Sequence, residues 1–338
     1  MLVPPVNRQI TLAGQPEGLP KESDFRLVES PIPRAGAGEV LVRSLYLSVD
    51  PYFRGRTAGR TAQTKPMVPG EVLSCEAVGQ VIESRDPRIA PNDIVEGILG
   101  WQEYATAQAR ALRKVDPEIA PIATALNALG IPGLTAYFGL LDICRPQPGE
   151  TFVVSAAAGA IGSLAGQIAK IKRCRAVGLA ESDEKVRFLT QELGFDAAFN
   201  YTDAADYQAR LKHVCPNGVD VYFDNVGGTI TDEVIRALNV RARVAICAQS
   251  SVSGDEPQMG PRWLDQLILK QARVEGFMVS QFSTRFEDGL RQMAVWLQQG
   301  KIRYHEDIVE GIENAPKAFI DVLAGENIGK RLVKVASG

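Results

Sequence analysis

The stretch TFVVSAAAGAIGSLAGQIAKIK, residues 151–172, decides the fold. Its first part, Thr151–Ser155, is short, apolar and β-branched, which is typical of a strand buried on both faces of a parallel sheet. Ala157, Gly159 and Gly162 follow at the three positions of a G-x-G-x-x-G turn, with alanine replacing the first glycine. The stretch therefore predicts a strand, a tight turn and a helix in immediate succession.

The predicted helix begins at about Ser163, so its free N–H groups and the positive end of its dipole face the turn. Gly159 allows the backbone to approach a pyrophosphate, and Gly162 allows the helix to pack on the strand. An alanine-rich turn of this kind can also bind nothing, so the rest of the chain has to support the interpretation. We predict dinucleotide phosphate contacts from Gly159, Ala160, Ile161 and Gly162.

The composition predicts an ordinary globular protein with two domains, because 338 residues exceed the usual size of one core. Hydrophobic residues make up 45% of the chain and charged residues 23%, and the net charge is −3. We therefore expect neither nucleic acid nor an anionic membrane as a partner. Five scattered cysteines without a C-x-x-C pair favour a reducing compartment. Two prolines in the first five residues argue against a signal peptide, so a cytoplasmic location is expected.

The pattern of elements changes along the chain. Short strands with Pro, Gly and Asp between them run to about residue 113 and predict a β-rich, partly open barrel. From about residue 121, helical segments alternate with roughly six apolar strands, which is typical of a doubly wound parallel sheet. The last segment returns to the earlier style. We predict a discontinuous first domain over 1–126 and 302–338 and a nucleotide-binding domain over 127–301.

Six motifs occur along the chain: LYLSVDPYFRGR at 45–56, GLTAYFGLLDIC at 133–144, AAAGAIGSLAGQIAK at 156–170, SDEKVRFL at 182–189, FDNVGG at 223–228 and GENIGK at 325–330. In this order they resemble the zinc-independent medium-chain dehydrogenase/reductases, in the branch of prostaglandin (leukotriene B4 dehydrogenase-like), 2-alkenal and curcumin reductases. The resemblance covers nearly the whole chain. It implies an α/β fold with a Rossmann domain, a GroES-like barrel that binds substrate, and a cleft between them. It also implies NADPH-dependent reduction of a carbon–carbon double bond conjugated to a carbonyl.

The choice of cofactor depends on the end of the second strand of the sheet. An NAD site places a carboxylate there to hold the ribose hydroxyls, whereas this strand ends at Ala180. Ser182, Lys185 and Tyr201 can offer a hydroxyl, a cation and a phenol to a 2′-phosphate, and the resemblance implies that Lys185 and Tyr201 bind it. Without the resemblance, Lys185 is better explained as a solvated helix residue. Glu181 would oppose a phosphate if it points inward. We predict a preference for NADPH over NADH.

The resemblance implies further cofactor contacts. All but one follow the predicted carboxyl ends of strands, where doubly wound sheets bind their ligands. These residues are Asn225, Cys247, Ala248, Ser253, Phe277, Met278, Val279 and, in GENIGK, Asn327.

A catalytic metal is not expected. Zinc-dependent relatives of the family have a cysteine and a histidine where this chain has Ser48 and Cys75, and we interpret Cys75 as a core residue of a buried strand. The two histidines, His213 and His305, lie near no cysteine cluster in the sequence. The chemistry that the resemblance implies is then hydride delivery to the β-carbon of an enal or enone, with protonation of the enolate.

Two residues are candidates for that chemistry. Tyr52 resembles the family's substrate contact, and a phenol can donate to an oxyanion, although a surface tyrosine after a turn is an equally good explanation. Many relatives have a tyrosine in the loop after the fifth strand, where this chain has Ser253. Because serine is shorter, we expect a changed substrate preference or slower turnover, not a loss of cofactor binding.

Two alternatives to an enal or enone reductase stay open. One is an NADPH-dependent quinone reductase, which uses the same cofactor site. The other, from a different class, is a weakly catalytic NADPH-binding protein with a structural or regulatory role. The expected partner is a small electrophilic carbonyl compound. The resemblance also implies a homodimer formed through the sheet edge around Val274–Val279, although this segment is equally consistent with an interior strand.

Overall fold

The computed structural model describes residues 6–59, 66–202, 206–250 and 260–335. In chain order, the strands in these ranges are β1 (Val6–Leu12), β2 (Phe25–Pro31), β3 (Glu39–Ser48), β4 (Glu76–Ser84), β5 (Ile94–Ile98), β6 (Tyr104–Gln108), β7 (Arg113–Lys114), β8 (Thr151–Val154), β9 (Arg175–Ala180), β10 (Ala197–Asn200), β11 (Val219–Asp224), β12 (Leu238–Ile246), β13 (Arg273–Gly276), β14 (Glu306–Glu310) and β15 (Lys330–Lys334).

The α-helices of the same ranges are α1 (Phe53–Thr57), α2 (Ile131–Phe138), α3 (Ala160–Ile171), α4 (Asp183–Arg187), α5 (Tyr207–Val214), α6 (Gly228–Arg236), α7 (Leu264–Lys270), α8 (Phe286–Gln298) and α9 (Ala315–Leu323). Two π-helical turns continue α2 and α4, at Gly139–Cys144 and Phe188–Glu192. Short 3-10 turns lie at Glu22–Asp24, Ala109–Ala111, Ile122–Leu126, Val279–Arg285 and Ile312–Asn314.

The described chain forms two compact units. The first contains the residues up to Leu126 together with those from Glu306 onward, and the second is Asn127–His305. The assignment of substrate binding to 1–126 with 302–338, and of nucleotide binding to 127–301, stays a prediction.

The second unit is built on a six-stranded sheet in the order β10-β9-β8-β11-β12-β13, and every pairing is parallel. This is the doubly wound order, in which the direction of winding reverses between β8 and β11. All four residues of β8 are buried, because helices cover both faces of a parallel sheet and β8 lies at its centre. The predicted fold class is confirmed.

The elements of this unit differ in detail from the prediction. Helix α3 begins at Ala160, three residues before the predicted start at Ser163, because the turn is tight enough for Gly159 to be the residue that precedes the first helical turn. Strand β13 is Arg273–Gly276, which ends before the predicted segment Val274–Val279 does, so Phe277, Met278 and Val279 lie after the strand.

The first unit is β-rich. Its main sheet has the order β14-β15-β3-β4-β5-β7, with β6 also paired to β3, and β1 and β2 form a separate antiparallel pair. Four aromatic rings pack together in its core. Between ring centroids, Trp101 lies 5.8 Å from Phe53 and 6.2 Å from Phe319, and Phe25 lies 6.2 Å from Phe319. Offset and edge contacts of this kind add to the stabilisation from burial.

The C-terminal segment belongs to this same core. Strand β15 pairs with β3, opposing Leu332 to Ser48, and Phe319 on α9 enters the aromatic cluster. The predicted return of the chain to its first domain therefore has a physical basis. At this end β3 pairs with β4 on one side, and β15 supplies the partner on the other. Within the described ranges, no helix combines the length and apolar character that crossing a bilayer requires.

Candidate active site

The glycine turn after β8 is held by backbone bonds. Ala157 N donates to Leu179 O at 3.0 Å, and Gly159 N donates to Ala156 O at 3.1 Å. Ala156 has a φ of 47°, in the left-handed region that costs a non-glycine residue about 1–2 kcal/mol. The strained position is therefore Ala156, one residue before the alanine that replaces the first glycine of the pattern.

Gly159 and Gly162 serve different purposes in this turn. A Cβ on Gly162 would lie 2.4 Å from Ala156 O and 2.8 Å from Ala157 Cα, so only glycine lets α3 pack on the turn. A Cβ on Gly159 would meet Ala156 O alone, at 3.3 Å, and otherwise enter open space. Space beside Gly159 together with the N-terminus of the 12-residue α3 is what a pyrophosphate requires.

The next strand in the sheet, β11, ends at the buried carboxylate of Asp224. Its Oδ1 accepts from Tyr222 OH at 3.0 Å and from Gly227 N at 2.9 Å, and its Oδ2 accepts from Thr231 Oγ1 at 2.6 Å. Ser155 Oγ donates to Oδ1 at 3.1 Å from the end of β8. Burial and then Asp224 raise the pKa of Tyr222 well above its usual value, so this phenol stays a donor. The network fixes the FDNVGG turn where the winding reverses.

Asn225 presents a polar atom with no partner among the described residues at this reversal point. Its N donates to Ser155 Oγ at 2.8 Å and its Nδ2 donates to Ser155 O at 2.9 Å, which fixes the side chain. Its Oδ1 is buried without a hydrogen bond, and the residue is only 8% exposed. A buried acceptor of this kind is expected to have a partner, and a ligand with N–H or O–H donors supplies one. The end of β11 and the glycine turn therefore fit a nucleotide.

The loop after β12 continues the same edge of the sheet. Cys247 N and Ala248 N both donate to Asp224 O, at 2.8 and 3.1 Å. Burial, followed by the charge of Asp224, raises the pKa of the Cys247 thiol to about 12, so it is a packing residue and not a nucleophile. Ser253 lies outside the described residues.

The residues after β13 lie beside this edge. Phe277 N donates to Ile246 O at 3.4 Å, and the Phe277 ring lies 6.0 Å from that of Phe223, edge to face. Met278 and Val279 follow, and Met278 is exposed. The structure thus places the predicted contacts Asn225, Cys247, Ala248 and Phe277 at the ends of adjacent strands.

The predicted 2′-phosphate residues meet at the end of β9. Ser182 precedes α4, and its Oγ accepts from Lys185 N at 3.3 Å, so its oxygen serves the helix. Lys185 Nζ donates to Glu181 Oε2 at 3.0 Å, and Tyr201 OH donates to Glu181 Oε1 at 2.9 Å. Lys185 is therefore buried and paired, unlike the solvated lysine that its local sequence alone suggests. Burial, then Glu181, raises the pKa of Tyr201.

Tyr52 lies in the other unit, at the start of α1. Its ring contacts Phe53 edge to face with a centroid distance of 4.7 Å, and Phe53 is fully buried, so the aromatic core fixes the position of Tyr52. The residue as a whole is 47% exposed, and its hydroxyl donates to Glu76 Oε2 at 3.0 Å. Burial of the hydroxyl, then Asp50 and Glu76, raise the pKa of Tyr52. This phenol is a hydrogen-bond donor, not a source of protons at neutral pH.

Acidic groups and one lysine surround this hydroxyl. Lys330 Nζ contacts Asp50 Oδ1 at 2.5 Å and Val49 O at 2.9 Å, and Ser48 Oγ donates to the other oxygen of Asp50. Burial and then Asp50 raise the pKa of Glu76, so its carboxyl takes up a proton more readily than an exposed one. The phenol has one hydrogen, which Glu76 accepts in this arrangement, so the phenol can donate to a developing negative charge once that hydrogen turns away from Glu76.

Comparison with known proteins decides the family. Residues 8–115 match a family model described as the N-terminal domain of oxidoreductase, and residues 160–295 match one described as zinc-binding dehydrogenase. The chain is 41% identical to an NADPH-dependent curcumin reductase of Escherichia coli (strain K12), over 98% of this chain and 97% of that protein. It is 38% identical to a 2-alkenal reductase (NADP(+)-dependent) of Nicotiana tabacum, over 98% of each.

A solved structure gives the same answer. CurA from Vibrio vulnificus in complex with NADPH superposes with a TM-score of 0.92 at 40% identity, covering 98% of this chain and 100% of that one. The chain belongs to the zinc-independent medium-chain dehydrogenase/reductases. The family predicted from the six motifs is confirmed, and with it the oxidoreductase class.

Two residues, Ser48 and Cys75, occupy the positions of zinc ligands in other dehydrogenases, and they have other surroundings in this chain. Ser48 is bound to Asp50, and Cys75 is fully buried in the loop directly before β4, not within the strand as predicted. Burial raises the pKa of the Cys75 thiol well above its usual value. Within the described ranges, no three His, Cys, Asp or Glu side chains are grouped as metal ligands would be.

The sequence-based reasoning missed three features of this family member. They are the strained Ala156, the Asp224 network and the contact of Glu181 with both predicted phosphate-binding residues. A signal existed for the second, because an aspartate at the end of an apolar strand must have buried partners. Asn327 lies in the first unit with Tyr52, where its Nδ2 donates to Gly329 O at 2.8 Å.

Proposed function

We propose that this chain is an NADPH-dependent reductase of α,β-unsaturated aldehydes and ketones, which transfers hydride to the β-carbon without a metal. The observation that carries this proposal is its similarity, over 98% of its length, to a 2-alkenal reductase and to a curcumin reductase. Both names include NADP, and the similar Vibrio structure holds NADPH. The predicted cofactor is thereby confirmed, whereas the enal or enone substrate is our proposal.

The second unit binds the cofactor in this proposal. Gly159 and the start of α3 hold the pyrophosphate, and the Oδ1 of Asn225 accepts from a donor of the nucleotide. Lys185 and Tyr201 bind the 2′-phosphate. When bound, NADPH supplies the hydride that the β-carbon receives. Nucleotide binding is assigned to 127–301, and substrate binding to 1–126 with 302–338.

Tyr52 stabilises the charge that develops on the substrate. Hydride addition to the β-carbon moves a pair of electrons onto the carbonyl oxygen, and a positioned donor lowers the energy of that enolate. Because its pKa is raised, the Tyr52 phenol donates a hydrogen bond without giving up its proton. The α-carbon then takes a proton. In this proposal the proton comes from water, because Ser253 stands where many relatives have the longer loop tyrosine.

The test follows loss of NADPH absorbance with a medium-chain 2-alkenal, a cyclic enone and a simple quinone. Parallel reactions contain NADH or a chelator. We expect turnover of the alkenal or enone with NADPH that the chelator does not reduce, and a lower kcat/KM with NADH. Faster turnover of the quinone would assign the chain to quinone reduction instead. Tight NADPH binding without turnover of any of the three would favour the non-catalytic alternative.

We also propose a homodimer formed through the β13 edge of the sheet. Strand β13 has a described neighbour on one side only, and α7 presents Leu264, Ile268 and Leu269 with 69, 78 and 67% of their surface exposed. Large apolar groups exposed together favour an interface. Light scattering should give twice the mass of one chain, and Ile268→Asp should reduce it to one, whereas a monomeric wild-type protein would refute the dimer.

We also propose that the protein is cytoplasmic. All five cysteines are free, and four of them are buried. A chain with this many unpaired thiols suits a reducing compartment.

A further inference from the structure

Glu181 follows β9 directly, and its carboxylate lies between the two side chains assigned to the 2′-phosphate. Lys185 Nζ donates to Oε2 at 3.0 Å and Tyr201 OH donates to Oε1 at 2.9 Å. Each carboxylate oxygen therefore accepts from one of the two side chains.

Burial shows that this is a built anion site and not a surface ion pair. The side chain of Lys185 is 8% exposed and that of Glu181 is 28% exposed. A buried ammonium is costly unless a negative group pairs with it, so Lys185 requires an anion at this place. Burial and Glu181 raise the pKa of Tyr201, so the phenol keeps its proton and donates to the same anion. The chain supplies that anion itself.

A 2′-phosphate has about −1.5 to −2 charges at neutral pH and seeks the same donors. Two anions cannot share Lys185 and Tyr201 without strong repulsion in a partly buried site. Glu181 must therefore leave both donors before the phosphate binds them. NADH does not require Glu181 to move, because a carboxylate at the end of this strand can stay in place and accept from a ribose hydroxyl.

We propose that Glu181 is a cofactor-specificity residue that competes, within the chain, with the 2′-phosphate for Lys185 and Tyr201. It narrows the preference for NADPH over NADH. The inference rests on the proposed function, since it takes Lys185 and Tyr201 as the phosphate-binding pair. Removal of the carboxylate should then strengthen the binding of phosphorylated ligands selectively.

Calorimetry with two fragments tests this without catalysis. Adenosine 2′,5′-bisphosphate and 5′-AMP differ only in the 2′-phosphate, and each is titrated into the wild-type protein, Glu181→Gln and Glu181→Gly. We expect both variants to bind the bisphosphate about tenfold more tightly or better, because a full opposing charge is removed. The affinity for 5′-AMP should stay equal or fall. Glu181→Gln keeps the side-chain volume and an acceptor for Tyr201, so it carries the test alone if Glu181→Gly is unstable.

Glu184→Gln is the matched control. Glu184 lies on α4 and is exposed. Its substitution by glutamine changes the net charge by the same amount as Glu181→Gln does. This control should change the affinity for neither fragment by more than about twofold, because an exposed charge is screened. An equal gain in Glu184→Gln would overturn the inference, since the effect would then be one of net charge.

The inference and the proposed function fail in different ways. Wild-type protein that binds NADPH, with an unchanged ratio of the two fragment affinities in Glu181→Gln, overturns the inference alone. Wild-type protein that binds neither NADPH nor the bisphosphate, with the variants equally inactive in binding, overturns the proposed function as well. A selective gain for the bisphosphate supports both.

Discussion

Tyr52 is the residue on which the proposed chemistry depends most. The buried ring of Phe53 fixes its position, and its hydroxyl is a donor held at 3.0 Å from Glu76. We predict that Tyr52→Phe lowers kcat for an enone about 100-fold, the usual loss when one donor to an oxyanion is removed. The dissociation constant for NADPH should change little, since the glycine turn, Lys185 and Tyr201, which we propose to bind the nucleotide, lie in the second unit. Steady-state kinetics and a fluorescence titration measure both.

Tyr46→Phe provides the matched control for that substitution. Tyr46 lies on β3 of the same unit and is partly buried, and it makes no described contact with Glu76. Its removal should leave kcat within about twofold. Equal kinetic losses in the two variants would mean that Tyr52 acts through the stability of the unit and not through substrate.

Glu76 should make stability depend on pH in a direction opposite to most carboxylates. Its pKa is raised by burial and then by Asp50, so the folded state retains a proton that the unfolded state has lost. Its contribution therefore favours folding below the ordinary carboxyl pKa and becomes unfavourable as pH rises through the raised value. We predict that Glu76→Gln is more stable than wild type at pH 7.5 and that this gain disappears at pH 4.

Chemical denaturation of both proteins at the two pH values measures this difference. The comparison cancels the carboxyl groups that Glu76 does not influence. Glu96 is not among them, because its pKa is raised by burial and also by the charge of Glu76, which the substitution removes. The amide can still accept from Tyr52, so the hydrogen bond is retained. A gain in free energy of unfolding that is the same at pH 4 and pH 7.5 would rule out ionisation of Glu76 as its cause.

The glycine turn before α3 offers a test at the level of one element. Gly162→Ala places a Cβ 2.4 Å from backbone oxygen, which cannot move without shifting the helix, so we predict a loss of about 1–3 kcal/mol in the free energy of unfolding. Gly159→Ala meets one atom at 3.3 Å and should keep the fold. It should weaken NADPH binding at least about tenfold, because the methyl group enters the space assigned to the pyrophosphate.

Thermal unfolding and NADPH titration of the two variants distinguish the packing role of Gly162 from the proposed cofactor-binding role of Gly159. The expected pattern is a lower melting temperature for Gly162→Ala and a higher dissociation constant for Gly159→Ala at an unchanged melting temperature. Unaltered NADPH binding by Gly159→Ala would remove the turn from the cofactor site.

The elements that sequence predicted well are those whose pattern has one structural solution. An apolar run such as Thr151–Val154 has to be buried on both faces, and glycine at 162 has to lie where the helix packs closely on the turn before it. The helix start at Ala160 was missed, because the left-handed φ of Ala156 tightens the turn and alanine does not signal that conformation.

The site was less predictable than the elements, because its contacts join residues far apart in the chain. Glu181 accepts from Tyr201, 20 positions away, and Ser155 donates to Asp224, 69 positions away. Lys185 looks like a solvated residue locally and becomes buried only when β9 and β10 pair. Sequence therefore identifies the residue types of the site, and the parallel pairing of strands decides which of them meet.

The thiols of the whole molecule provide the last prediction. Substrates of the proposed class are electrophiles that alkylate thiolates, so a chain that handles them must keep its cysteines protonated. Burial raises the pKa of Cys144, Cys215 and Cys247 to about 12 and that of Cys174 to about 11, and it raises that of Cys75 well above its usual value. At pH 8, fewer than about one in a thousand of such thiols are ionised.

We therefore predict that a disulfide reagent such as Ellman's reagent titrates fewer than about one thiol per native chain at pH 8, because thiolate is the reacting form. In guanidinium the same reagent should find all five. Cys247 is the least buried of the five, and Cys247→Ser identifies its share of any slow reaction. Rapid modification of one thiol in the native wild-type protein, lost in Cys247→Ser, would show an ionised Cys247 beside Asp224. It would also make the nucleotide edge of the sheet a target of the enzyme's own electrophilic substrates.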